Sequence, residues 1–129
     1  MAMYQTYAGN EYRKSQILTA SRGQLLLMAY DGALRFLRLA ASAMEQKRFE
    51  EQNTNITKAQ AIILELLNSL DHTANSQLAD ALDRLYRYMY DQLIEANVHD
   101  KLESLREVER QLLDLRETWA EAELRFSQG

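Results

Sequence analysis

The side chains of this sequence that could bind a metal or transfer a proton are two histidines and nineteen carboxylates. A di-metal site inside a helical bundle needs Glu-x-x-His on two helices, because that spacing places both ligands on one face, one turn apart. The residue three positions before His72 is Ser69, and the residue three positions before His99 is Ala96. Neither pair exists, and both histidines fall in polar stretches that we interpret as turns. We therefore expect no metal and no other cofactor.

Nucleophilic catalysis has no candidate residue either. The sequence has no cysteine, and no serine lies in the Gly-x-Ser-x-Gly pattern of a nucleophile elbow. Between Glu107 and Glu123 the carboxylates are interleaved with arginines, which is typical of a solvated helix face. Asp31, directly after the apolar run from Leu25 to Tyr30, is interpreted as a surface residue or a local hydrogen-bond acceptor. The chain is predicted not to be an enzyme.

The elements that position these residues are indicated by the near absence of glycine and proline. The sequence contains no proline, and its glycines are Gly9, Gly23, Gly32 and Gly129. Antiparallel sheets need tight turns, in which glycine usually supplies the positive φ angles. Leucine and alanine, both strong helix formers, are abundant. The composition therefore predicts an all-α fold and excludes a β-sandwich or barrel.

The first helix is predicted to begin at Ser21. Ser21 and Gln24 form a capping-box pattern, in which each side chain bonds the other residue's backbone amide. Gly32 lies within this helix and is expected to allow another helix to approach closely. The apolar residues that follow have the spacing of a helix with one buried stripe: Leu26, Tyr30, Ala33, Leu37, Ala40 and Met44.

Three further helices follow, separated by polar stretches. Thr73 or Asn75 is predicted to cap the third helix, and Asp100 the fourth. The predicted stripes are Ile56, Ala59, Ile63, Leu66 and Leu70; then Leu78, Leu82, Leu85, Met89, Leu93 and Ala96; then Leu102, Leu105, Val108, Leu112, Leu115 and Trp119. Helices of similar length with short connections predict an antiparallel up-down four-helix bundle. Residues 21–129 are assigned to this single domain, and residues 1–20 to a short, flexible, partly helical N-terminal arm.

Charge and hydropathy narrow the choice of partners. The net charge of −4 and the mixing of acids with bases argue against nucleic-acid binding. The longest apolar run has six residues, Leu25 to Tyr30, whereas a membrane span needs about 20. We therefore expect no membrane insertion and no export signal. The lack of cysteine fits a cytoplasmic location.

Apolar residues nevertheless exceed what one stripe per helix can bury. The stretch from Leu85 to Tyr90 distributes aromatic rings around the third helix. At about 100° per residue, Tyr88 is expected near the core side and Tyr86 on a different stripe. Three explanations stay open at this point: a broad core covered by the tyrosine-containing arm, homodimerisation of the free chain, or a groove for a partner helix.

Several segments resemble the flagellar export chaperone family FliS. Leu18 to Ser21, followed by Leu25 to Ala33, is similar to the family's Thr-Ala-Ser/Thr-Pro segment and its Leu-Tyr-Asp/Asn-Gly segment. The similarity continues in Lys58 to Leu66, in Leu85 to Tyr90 and the Leu93, Ala96 and Asn97 that follow, and at Glu107, Val108 and Trp119. Tyr12 stands at the position of the family's arm tyrosine. The sequence departs from the pattern at Arg22, Gln24 and Ala29, where the family usually has Pro, Glu and Leu.

The resemblance implies a cytoplasmic chaperone for flagellin. Such a chaperone binds the disordered C-terminal region of flagellin, prevents premature polymerisation and assists delivery to a component of the flagellar type III export gate. On this hypothesis the mobile arm covers an apolar groove until the client displaces it. The alternatives are a homo-oligomeric structural or adaptor bundle without a flagellin client, and a metal or redox enzyme built on a bundle. The residues expected to contact the partner are Tyr12, Ile17, Leu18, Leu26, Leu27, Tyr30, Ile62, Ile63, Tyr86, Tyr88 and Met89.

Overall fold

The computed structural model describes residues 20–128, with the side chains of residues 20–125. Residues 1–19, which make up nearly all of the predicted arm, lie outside this range, so the arm and its boundary stay a prediction. The described chain forms four helices and contains no strand: α1 (Arg22–Glu45), α2 (Phe49–Asn68), α3 (Ser76–His99) and α4 (Leu102–Gln128). The all-α prediction is confirmed.

The helices form an antiparallel four-helix bundle. Helix α1 packs against α2 and α4, and α3 packs against the same two helices from the opposite corner. The start of α1 contacts the end of α4, where the Ser21 hydroxyl donates to Glu123 Oε1 at 3.0 Å. Near the other end of the same pair, Arg106 bonds Glu45 across 3.2 Å. The up-down arrangement predicted from the connection lengths is therefore observed.

Two of the predicted helix starts are confirmed. The Ser21 side chain accepts from the Gln24 amide at 3.1 Å, and the Gln24 side chain accepts from the Ser21 amide at 2.9 Å. Asn75 caps α3 by accepting from the Leu78 amide at 3.1 Å. These bonds satisfy backbone donors that have no partner within the helix.

The prediction that Asp100 caps the fourth helix is wrong. Asp100 instead ends α3, with a left-handed backbone at φ 52°. The Lys101 amide bonds back to the Ala96 carbonyl at 3.0 Å, as in a Schellman motif. His99 is consequently the last residue of α3 and does not lie in a turn.

The core contains most of the predicted stripes. In α1, all predicted residues from Tyr30 to Met44 are buried, and Leu26 is partly buried against them. Gly32 does permit a close approach, because a Cβ placed there would lie 3.3 Å from Ile62 Cδ1 of α2. In α2 and α4 the predicted stripes face the core as well.

The stripe predicted for α3 needs correction. Tyr86 is 1% exposed and belongs to the core, whereas Tyr88 is 42% exposed and Leu78 is 45% exposed. The buried face of α3 runs through Ala79, Leu82, Tyr86, Met89, Leu93 and Ala96. The predicted stripe followed Leu85 in place of Tyr86, because leucine spacing alone does not show which flank of a helix meets its neighbours.

Candidate functional site

An open apolar pocket lies at one end of the bundle, where α1 and α3 begin and α2 and α4 end. Its volume is about 250 Å³. The large side chains of its wall come from all four helices and from the start of the α2–α3 connection: Leu26, Leu66, Leu70, Leu78, Leu82 and Trp119. A pocket of this composition can enclose a bulky apolar group and remove it from water.

The α2–α3 connection forms one rim of the pocket. The Asp71 carboxylate accepts from the Thr73 amide at 2.9 Å and from the Thr73 hydroxyl at 2.5 Å. The hydrogen bond from the Thr73 hydroxyl is the main reason that the pKa of Asp71 lies below its usual value. The connection is thus folded by its own hydrogen bonds, and beside it Leu78 stands exposed at the mouth of the pocket.

Two tyrosines lie behind this pocket. The hydroxyls of Tyr30 on α1 and Tyr86 on α3 are 2.6 Å apart, and both side chains are buried. Burial raises the pKa of Tyr30, and its hydrogen bond with Tyr86 raises it further. Burial also raises the pKa of Tyr86. Both hydroxyls are therefore neutral at physiological pH, and Tyr86 also lines the pocket.

The structure separates the predicted contact residues into different groups. Tyr12, Ile17 and Leu18 lie outside the described residues. Leu26 and Tyr86 meet at the pocket, with Tyr30 directly behind. The remaining five lie outside the pocket. Leu27 and Ile62 are partly buried, and Ile63 and Met89 are buried. Tyr88 is exposed, and its hydroxyl donates to Glu107 Oε1 at 2.9 Å.

Sequence reasoning did not identify several apolar residues as a possible contact surface. Leu78, Leu82 and Trp119 were assigned only to buried stripes, although they line the pocket. Leu64 on α2 and Ile94 on α3 are exposed and were not singled out. The position of Leu78 three residues after the cap Asn75 was a usable signal, because the first turn of a helix has no preceding turn to cover it.

The described residues were also compared with what a metal site and a membrane span require. Within them, no group of three histidine or acidic side chains is placed to hold a metal ion. His72 bonds Asp80 across 3.0 Å on the surface. Asp31 forms a surface ion pair with Arg116 at 2.9 Å, in agreement with its predicted surface role. No helix of the described chain has the length and hydropathy needed to cross a bilayer.

Comparison with known proteins gives a consistent result. The family model described as "Flagellar protein FliS" matches residues 3–125. The flagellar secretion chaperone FliS of Bacillus subtilis (strain 168) is 39% identical over 122 residues, which cover 95% of this chain and 89% of that protein. The flagellar secretion chaperone FliSB of Pseudomonas aeruginosa is 35% identical over 121 residues, which cover 91% of this chain and 96% of that protein.

The fold also matches a solved structure. A crystal structure of a flagellar chaperone from bacteria aligns with a TM-score of 0.77 over 94% of this chain and 98% of that one. At 18% sequence identity this likeness supports the bundle fold. Because the family model covers nearly the whole sequence and relatives above 30% identity cover most of it, the chain belongs to the FliS family, a family of flagellar secretion chaperones and not of enzymes.

Proposed function

We propose that this chain is a cytoplasmic export chaperone that binds the disordered C-terminal segment of flagellin. The observation that carries the proposal is the open apolar pocket, in a chain whose relatives are named flagellar secretion chaperones. Leu78 at its mouth offers apolar surface that the bundle itself leaves uncovered. By occupying the apolar face of the client, the chaperone prevents premature polymerisation and keeps the subunit ready for delivery to an export-gate component.

A disordered client suits a rigid receptor of this kind. Ordering the client costs about 2–5 kcal/mol or more, so the receptor must offer well-formed apolar contacts that cost little to organise. An amphipathic helix can insert a bulky side chain between Leu78 and Trp119 while its polar face stays in water. Exposed apolar side chains along α2 and α3, such as Leu64 and Ile94, extend the available surface beyond the pocket.

The test is isothermal titration calorimetry with a peptide that contains the C-terminal segment of flagellin. The informative variant is Leu78→Asp, and the matched control is Leu39→Asp, because both leucines are 45% exposed and only Leu78 lines the pocket. We expect the wild type to bind, Leu78→Asp to lose at least about tenfold in affinity, and Leu39→Asp to stay within about twofold. Trp119, the single tryptophan, should report binding by a shift in fluorescence emission.

Two results would contradict the proposal. Absence of binding by the wild type at high peptide excess would exclude the flagellin segment as the client. Equal weakening by Leu78→Asp and Leu39→Asp would show that the pocket is not the contact site. Sedimentation of the free chain tests the homodimer alternative, which requires a dimer that Leu78→Asp dissociates.

A further inference from the structure

The paired tyrosine hydroxyls behind the pocket have one more hydrogen than they can use between themselves. Each neutral hydroxyl carries one hydrogen and can accept through its oxygen. The 2.6 Å contact between Tyr30 and Tyr86 uses one of the two hydrogens. The second hydrogen has no acceptor among the described side chains and carbonyls, since the only hydrogen bond of either hydroxyl to an acceptor is their mutual one.

Only one of the two tyrosines can offer this hydrogen to a bound group, because Tyr86 lines the pocket and Tyr30 does not. Either hydroxyl can donate in the 2.6 Å contact, so Tyr30 can donate to the Tyr86 oxygen and leave the Tyr86 hydrogen for the pocket. A buried hydroxyl hydrogen without an acceptor is unfavourable, so a bound group that supplies one gains affinity.

We propose that the pocket recognises a neutral carbonyl oxygen of the client, which accepts a hydrogen bond from the Tyr86 hydroxyl among otherwise apolar contacts. This inference rests on the proposed function and specifies what the client must present. It makes Tyr86 a specificity residue, and Tyr30 its hydrogen-bond partner on the core side.

The surroundings of the pocket favour a neutral acceptor over a carboxylate. Lysine and arginine are absent from the described lining of the pocket, and the Arg22 charge near the rim already interacts with Asp71, so a buried carboxylate would lack a counter-ion of its own. The Asp71 carboxylate lies at the rim and would repel a second negative charge. A carbonyl carries no net charge, and its removal from water is offset by a single good hydrogen bond.

The decisive experiment compares Tyr86→Phe with Tyr30→Phe in the same calorimetric titration with the flagellin C-terminal peptide. Both variants delete one oxygen and break the same 2.6 Å bond, so their effects on folding should be similar. We expect Tyr86→Phe to weaken peptide binding by about 3- to 10-fold and Tyr30→Phe to change it by less than about twofold. The double variant Tyr30→Phe/Tyr86→Phe leaves no hydroxyl unpaired and should bind like Tyr86→Phe.

The outcomes separate this inference from the proposed function. If the wild type binds and the two single variants weaken binding equally, or neither does, the carbonyl contact is wrong while the chaperone proposal stands. If the wild type does not bind, the proposed function fails and the inference fails with it. Circular dichroism of each variant shows whether it is folded. If Tyr86→Phe alone is not folded, the peptide affinity of the double variant is compared with that of the wild type instead.

The source of the carbonyl can be identified with the peptide. Asparagine and glutamine residues of the segment are replaced by alanine one at a time, and each peptide is titrated against wild type and Tyr86→Phe. A side-chain carbonyl is indicated if one replacement abolishes the difference between the two proteins. A backbone carbonyl is indicated if the difference survives every replacement.

Discussion

The two ends of the bundle differ in the length of the connections between helices and in the side chains that fill the space between them. At the end opposite the pocket, which we call the polar end, the connections are short, comprising residues 46–48 and 100–101. The buried amide of Gln52 donates there to Asn97 Oδ1 at 3.3 Å and to Asp100 Oδ1 at 2.9 Å. At the pocket end the connection is longer, residues 69–75, and the helices enclose apolar space.

The difference indicates that the polar end mainly holds the helices together, whereas the pocket end offers a surface for a partner. Side-chain hydrogen bonds tie α2 to α3 at the polar end, where Asn97 also donates to Asn53 Oδ1 at 2.7 Å. Such bonds fix the relative positions of the helices. Phe49 and Val98 are exposed at this end too, but they share their pocket with hydrogen-bonded polar side chains such as Gln52. The pocket end keeps its apolar side chains partly uncovered, as a surface that binds a partner requires.

The largest effect is expected on the free energy of unfolding when a core side chain of α2 is shortened to alanine. The comparison is between a side chain near the polar end and one near the pocket end. Ile56, towards the polar end, is fully buried, whereas Leu66 lines the pocket. We expect Ile56→Ala to lower the free energy of unfolding by about 3–5 kcal/mol, because it creates an enclosed cavity. Leu66→Ala should cost at least about 1 kcal/mol less, because its cavity merges with space that is already open.

Chemical denaturation followed by circular dichroism measures both values. The contrast between the ends would be refuted if Leu66→Ala were as destabilising as Ile56→Ala. Tyrosine and tryptophan signals offer a second probe of the same transitions, and coincidence of the probes checks that unfolding is two-state.

The next effect concerns alkaline pH and the tyrosine pair behind the pocket. Burial raises the pKa of both Tyr30 and Tyr86 above the ordinary value of 10.0. Above about pH 10 the unfolded chain therefore releases protons that the folded chain retains, and stability must fall as pH rises. The expected slope is about 1.4 kcal/mol per pH unit for each retained proton.

Urea unfolding at pH 8, 10 and 11 measures this decline. The Tyr30→Phe/Tyr86→Phe variant should show a shallower decline, because it no longer holds these two protons. An identical pH dependence in wild type and variant would mean that the pair ionises as easily in the folded chain as in the unfolded one.

The smallest effect lies in the turns of the polar end. Lys47 and Asp100 have left-handed backbones, with φ of 59° and 52°. Lys47→Gly should raise the free energy of unfolding by up to about 1 kcal/mol, because glycine adopts this conformation without a Cβ clash. Asp100→Gly should be less stable than Lys47→Gly, because it also removes the carboxylate that accepts a hydrogen bond from Gln52 at 2.9 Å.

Arg48→Gly is the matched control, because Arg48 has a negative φ of −91°. It should lower stability, since glycine there adds freedom to the unfolded chain and removes the exposed ion pair of Arg48 with Glu51 at 3.7 Å. If Lys47→Gly and Arg48→Gly changed the melting temperature in the same direction, backbone strain would not explain the effect.

Much of the fold was predictable because its causes are local. The capping box of Ser21 and Gln24, the cap Asn75 and the buried stripe of α1 depend on residues within one or two turns. The absence of glycine and proline between residues 33 and 128 correctly predicted that the described residues contain no sheet. It did not show how the bundle turns without glycine, since Lys47 and Asp100 adopt positive φ where packing of the helices requires it.

The candidate site was predictable only in part. Leu26 and Tyr86 were expected to contact a partner, and both line the pocket, but Leu78 and Trp119 were assigned to buried stripes. The expected exposures of Tyr86 and Tyr88 were reversed. A rotation of one residue along a helix is about 100°, so a small error in the buried direction exchanges core for surface.

By itself, therefore, the sequence determined the helices, most of their ends and the surplus of apolar residues, because hydrogen bonds between neighbouring turns and capping act over a few residues. The tertiary structure alone decided where that surplus collects and which tyrosine faces inward. Tyr30 and Tyr86 are 56 positions apart in the chain, and their hydroxyls meet only because α1 and α3 stand at opposite corners of one core. Such a contact follows from how all four helices pack, and no local pattern records it.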